Sequence, residues 1–169
     1  MGIFTMEEFR SLDDLFLYQL EDLFDAENRM VKALPKMIDA ASTPELKQAF
    51  EYHVTQTHDH ADRLRTVFMQ LGRKPEGETC EAMKGLLREA EEMIEARGDP
   101  AVKDAALIAA AQRIEHYEIA GYGTARSLAM HLGHTEAARL LQTTLEEERQ
   151  ADRTLTEIAE TEVNARALT

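Results

Sequence analysis

Residues 104–122, DAALIAAAQRIEHYEIAGY, contain no proline and a single glycine. Apolar positions that recur at alternating spacings of three and four mark one face of an α-helix. Followed through the chain, that face reads Ile108, Ala111, Glu115, Glu118, Tyr122, Ala125, Ala129 and Leu132. It is apolar at both ends and carries two glutamates in its middle. A helix of this kind buries carboxylates where a core is normally oily.

Working outward, the sequence divides into long helical segments with clear punctuation. This one runs from about Ala101 to Leu132, between Gly98-Asp99-Pro100 and Gly133, a C-terminal stop. Another follows from about Thr135 to near Val163, with the last few residues expected to fray. Upstream, a segment from about Thr5 to Ala41 starts with Thr5 and Glu8 spaced as a capping box. Pro35 should kink it or split it in two. Thr43 and Pro44 then suit the N-cap and first position of a helix reaching about Leu71 and Gly72. A shorter helix, about Glu78 to Ala96, presents Met83, Leu87, Ala90 and Ile94 on one face. Tight turns join the first long pair and the last long pair, and roughly thirty residues join the pairs. Two antiparallel hairpins linked by one long crossover, here with its own short helix, is the layout of an all-α, ferritin-like four-helix bundle. At 169 residues the chain suits one domain, 1–169.

The other three stripes repeat the anomaly. The first segment reads Phe16, Leu20, Leu23, Glu27, Met30, Leu34. The second reads Leu46, Phe50, His53, Thr57, His60, Leu64, Val67, Leu71. The last reads Ala138, Leu141, Leu145, Glu148, Asp152, Leu155, Ala159. Counted from the turns, the polar residues fall at one depth, about 22–27 Å along the helices at about 1.5 Å per residue. Buried carboxylates without partners are costly or become protonated, and several in one layer repel one another. The stripes offer few cations in compensation, so a bound metal ion, or two, is the simplest remedy. Carboxylate oxygen with imidazole nitrogen suits iron or manganese, and also zinc. The expected ligands are Glu27, His53, His60, Glu115, Glu118, Glu148 and Asp152.

Composition narrows the remaining classes. A net charge of −13 disfavours nucleic acid and anionic membranes as partners and is compatible with attracting cations. Cys80 is the only cysteine, which excludes an internal disulfide and a cysteine-based zinc site and fits a reducing, cytoplasmic setting. The first residues lack the pattern of a signal peptide, and no apolar run has membrane-spanning length. No nucleophile–base pair or glycine-rich phosphate loop suggests another chemistry.

Along nearly its whole length the chain resembles the YciF-like group of ferritin-like bacterial stress proteins. The residues that carry the resemblance are Asp22 with Ala26 and Glu27; His53 with Thr57 and His58; the run from Asp104 through Gln112 to Glu115, His116, Tyr117 and Glu118; and Thr144 to Glu148 with Asp152. The resemblance implies a rubrerythrin-like helical bundle, often a homodimer, and supplies no settled activity. The wider ferritin-like pattern places Glu-x-x-His on the second and fourth helices. Here Thr57 stands where the second helix would have its glutamate, and Asp152 follows Glu148 with no histidine. The expected site is thus richer in carboxylates on the side of the last two helices.

Other residues carry a plainer reading. His58 and His116 lie beside the stripes, suited to the surface or to orienting a ligand. His131 and His134 suit the dipole at a helix C-terminus. Tyr117 and Tyr122 could hydrogen-bond the site or carry an electron, packing with a satisfied hydroxyl being the commoner role; Asp62 and Arg63 suit a solvated face, and Gly121 and Gly123 close backbone approach. The functional expectation is a stress-associated metal-binding protein without a strong dedicated enzymatic activity. The alternatives are a di-iron or di-manganese oxidoreductase acting on oxygen or peroxide, and a metal-free structural protein with a vestigial site.

Overall fold

The computed structural model describes residues 8–76 and 78–168. Helix α1 (Leu12–Ala40) is capped by Ser11, whose Oγ accepts from the Asp14 backbone N–H at 3.1 Å while the Asp14 carboxylate accepts from the Ser11 N–H at 3.0 Å. The expected cap at Thr5 lies outside the described residues, and Glu8 lies outside the helix. The same reciprocal chemistry operates further along, at a Ser and Asp three apart. Pro35 neither splits the helix nor ends it; α1 runs unbroken to Ala40.

Helix α2 (Pro44–Gln70) begins after Thr43, as the Thr-Pro pair predicts. Thr43 does not cap with its side chain, however. Its hydroxyl donates instead to Asp104 Oδ2 at 2.6 Å, and the same carboxylate accepts the backbone N–H groups of Ser42 and Thr43 at 2.8 and 2.7 Å. Helix α3 (Glu81–Glu95) starts later than expected because the Cys80 thiol serves as its N-cap, accepting from the Met83 N–H. Of its predicted apolar face, Met83 and Ala90 are buried and Leu87 and Ile94 half-buried. Helix α4 (Pro100–His131) is capped by Asp99 and closed by Gly133 at φ +80°.

Helix α5 (Thr135–Ile158) does not fray. It passes through a π-helical stretch, Ala159–Val163, into the short α6 (Asn164–Ala167). The fully buried Val163 anchors that end in the core. Among the described residues there is no strand, and no helix is long and apolar enough to cross a membrane.

Helix α1 packs on α2 and α4, and α5 on α2 and α4, so the four long helices form a square. The apolar residues form two clusters. One gathers Met30, Leu34 and Met37 of α1, Leu46 and Phe50 of α2, Leu107 and Ile108 of α4, and Leu155 of α5. The other gathers Phe16 and Leu20 of α1, Leu64 and Val67 of α2, Ala125 and Ala129 of α4, and Leu141 and Leu145 of α5. Adjacent helices are therefore antiparallel. The crossover must travel the length of the bundle, and α3 packs against α1 and α4 on the way. A Cβ at Gly121 would stand 2.7 Å from Leu23 Cδ2, so its absence lets α1 and α4 approach; Gly123 faces open space. Between the two clusters, in the sequence of every long helix, lie the polar residues.

Candidate metal centre

Each of the four long helices delivers part of its stripe to this gap: Glu27 from α1, His53 and His60 from α2, Glu115 and Glu118 from α4, and Glu148 from α5. All six are buried, His53 being the most exposed at 5%. They fall into two groups. Ligand-type atoms of His53, Glu115, Glu118 and Glu148 lie within 4.8 Å of one another, and so do those of Glu27, His60 and Glu148. Glu148 belongs to both. His53 Nε2 is 3.3 Å from Glu115 Oε1 and 3.7 Å from Glu148 Oε2. His60 Nδ1 is 2.8 Å from Glu148 Oε1 and 3.3 Å from Glu27 Oε1.

A surrounding layer holds these groups in place. His60 Nε2 lies 2.9 Å from Glu147 Oε2, and Glu147 is gripped by the Arg63 guanidinium, which also donates to Thr144 Oγ1 at 3.2 Å. The Tyr122 hydroxyl donates to Glu27 Oε1 at 2.5 Å. On the other side, His53 Nδ1 is 3.4 Å from Gln56 Oε1. A carboxylate bonded to the outer nitrogen of a buried histidine fixes the ring and its tautomer, as metal-binding histidines require.

The electrostatics of the two groups differ. Burial holds Glu115 and Glu118 well above the ordinary carboxylate range; Glu148 adds to the rise at Glu115, and Glu27 with Glu148 at Glu118. Burial also raises Glu27, although His60 pulls it back. Burial opposes ionisation of Glu148 too, but His60 outweighs it and holds that carboxyl low. His60 shows the reciprocal effect: burial would lower it, yet Glu27 and Glu148 drive it up. Glu147 is held down to about 2, its burial outweighed by hydrogen bonds from His60 and Arg63.

Hydrogen bonding leaves this layer incomplete. Glu115 Oε2, Glu118 Oε1, both oxygens of Glu148 and His60 Nδ1 are buried without a well-formed hydrogen bond, although His60 Nδ1 and Glu148 Oε1 lie 2.8 Å apart as an ion pair. Only Arg126 Nε joins them among the described residues. Unsatisfied buried polar atoms are rare in folded proteins, and each calls for an explanation. Here they converge, and oxygen with imidazole nitrogen is a donor set that fits iron, manganese or zinc.

Asp152, the seventh expected ligand, is not brought into either group. It is half-buried one turn further along α5, where Gln112 Nε2 donates to its Oδ1 at 3.0 Å and His116 Nε2 lies 3.2 Å away. Thr57 donates its hydroxyl to the His53 carbonyl at 2.9 Å. His58 is exposed. His131 Nδ1 meets the Ser127 carbonyl at 2.8 Å, in keeping with a role at the helix end, whereas His134 stacks on Phe16 and precedes α5. The Tyr117 hydroxyl donates to Asp22 and lies 3.0 Å from Cys80 Sγ. Arg63 is not on a solvated face but in the layer around His60. Glu147 and Arg63 escape a reading by stripes because each lies beside the buried line of its helix and not on it. A buried histidine's need for a partner on its outer nitrogen was the one available signal.

The bundle and its buried acid–histidine belt define a ferritin-like helical protein. The architecture is shared even at 18% identity with a two-domain protein of Anabaena variabilis that contains a ferritin-like domain (TM-score 0.61, 92% of this chain and 38% of that one). Residues 11–168 match the family described as a domain of unknown function, DUF892, and the chain belongs to that family. It is 44% identical over 159 residues to protein YciF of Escherichia coli (strain K12), covering 94% of this chain and 96% of that protein. The crystal structure of the same E. coli stress protein superposes with a TM-score of 0.89 over 92% of this chain and 99% of that one. YcfI of Rhodopseudomonas palustris, proposed to be a structural protein, is 42% identical with a TM-score of 0.86, over 90% of this chain and 98% of that one.

Proposed function

We propose that this is a stress-associated metal-binding protein that holds one or two iron or manganese ions in the belt, without a strong dedicated activity. The observation that carries this reading is the convergence of buried carboxylate oxygens of Glu115, Glu118 and Glu148 that make no hydrogen bond. The group of His53, Glu115, Glu118 and Glu148 is the stronger candidate, since three carboxyls there face only one imidazole. Glu148 would be shared with the second group, in which His60 and Glu27 are the remaining donors. A bound ion would supply positive charge to neutralise these carboxylates and, as iron or manganese, a second oxidation state. The protein's own part is to exclude water, hold the carboxyls together, and fix His60 through Glu147 and Arg63.

The test is metal analysis after reconstitution with iron or manganese, on wild type, Glu115→Ala and Glu148→Ala. Wild type is expected to retain metal through gel filtration. Glu148→Ala is expected to lose most of it, and Glu115→Ala the ion of the first group. Absence of metal from the wild type sinks the reading; retention by both variants moves the site elsewhere.

One observation favours a metal-free structural role instead. A protonated His60 lies between Glu27, Glu148 and Glu147, so the second group can balance its own charge. In that reading the belt fixes the register of the helices, a role buried polar groups have in some proteins. It predicts no metal at all and the same helical bundle.

A further inference from the structure

The belt is not closed equally on all sides. A small cavity of about 50 Å³ opens between α2 and α5. Its floor includes His53 and Glu115, its walls Phe50 and Leu155, and its lip the small residues Ala49 and Ala151. It therefore ends on the first group of ligands. The second group has a different cover. His60 and Glu27 are 0% and 1% exposed, and the outer nitrogen of His60 is blocked by Glu147, itself held by Arg63. A wider groove, about 590 Å³ between α1 and α3, is lined by none of the belt residues.

We propose that this opening is the access route of a small uncharged molecule, of the size of a diatomic gas or peroxide, to the His53–Glu115 side of the centre. This rests on the metal-binding reading above. Size and polarity both select the guest. The cavity exceeds the roughly 10–15 Å³ that a water molecule needs but is far below the roughly 300–1,000 Å³ of sites for organic ligands. Its exposed lining is mostly apolar, which favours an uncharged guest over a hydrated ion. The two groups then have separate tasks: exchange takes place beside His53, and the His60 side stays sealed.

Nitric oxide serves as the probe, followed by absorbance in stopped flow on protein loaded with ferrous iron. Ala151→Phe fills the lip from α5, and Ala49→Leu fills it from α2 should the first variant fail to fold. At iron content equal to wild type, a plug is expected to slow nitric oxide binding at least tenfold, as judged against the wild-type rate. Tyr52→Ala, at an exposed position on the same rim, is expected to leave the rate unchanged or raise it. A plugged protein that binds within twofold of the wild-type rate overturns the proposal. Xenon-pressurised crystals of metal-free protein separate this idea from the one beneath it. Xenon beside His53 with no iron ever taken up supports the passage and overturns the metal centre. Iron taken up normally, with no xenon there and an unslowed plug, overturns the passage and leaves the centre standing.

Discussion

Glu115 shows what a buried carboxyl costs when nothing neutralises it. It is 2% exposed, faces Glu148, and is held well above the usual carboxylate value of 4.5. Between 4.5 and that raised value the folded protein keeps a proton that the unfolded chain has released. Stability must then fall as pH rises, by up to about 1.4 kcal/mol per pH unit for one such proton. Metal-free wild type is therefore expected to lose stability relative to Glu115→Gln as pH rises from 5 to 8. Urea denaturation of both in chelator checks this, and parallel pH profiles would refute it. With metal bound the sign reverses, because the ion replaces the proton and its affinity grows with pH. At this scale the sequence was informative wherever a residue lay on a buried stripe. Glu27, His53, His60, Glu115, Glu118 and Glu148 stood out because the helical period places them among apolar residues. Asp152 lay on the same stripe yet one turn off the layer, where Gln112 and His116 take it. Glu147 and Arg63 had no such mark, since their position depends on which neighbour α5 meets.

Among the elements, the turn between α1 and α2 depends on a residue far from it in sequence. Asp104, fully buried in the first turns of α4, accepts three hydrogen bonds from Ser42 and Thr43. Hydrogen bonds to a charged group are worth about 1.5–3 kcal/mol each and do not add fully. Removing the carboxylate also strands two buried donors. Asp104→Ala is expected to destabilise the protein by about 3 kcal/mol, with Asp104→Asn intermediate, read from urea midpoints at constant m-value. A ranking in which Asn is no better than Ala would show that volume, not acceptance, matters there. The helices themselves were legible from their punctuation, Thr43-Pro44 and Asp99-Pro100 above all. Their ends were less so. A thiol cap at Cys80 has no strong sequence signature, and the Ser11 and Asp14 box competes with an equally good pattern at Thr5 and Glu8.

For the whole molecule, the net charge of −13 and the belt act in the same direction. Both raise the free energy of the metal-free fold, and a bound cation relieves both. A ligand that binds only the folded state at 100 times its dissociation constant stabilises by about 2.7 kcal/mol. For a chain of this length that is a rise of about 5–10 °C in Tm. Iron or manganese should produce it in calorimetry, and Glu148→Ala should abolish it. Magnesium at equal concentration should do much less, because it is poorly served by imidazole. An equal rise with magnesium would mean that surface charge, not the belt, is responsible.

The division of the apolar core in two carries a further meaning for motion. Without an ion, the clusters at the two ends are joined chiefly by the continuity of four helices and by a polar belt in which several buried atoms make no hydrogen bond. Opening then need not be all or none: each end can loosen with the other intact, and the midpoints of the helices are the seam along which protection against solvent falls first. An ion held there turns two loosely joined cooperative units into one, so its presence is written into the dynamics of residues far from it.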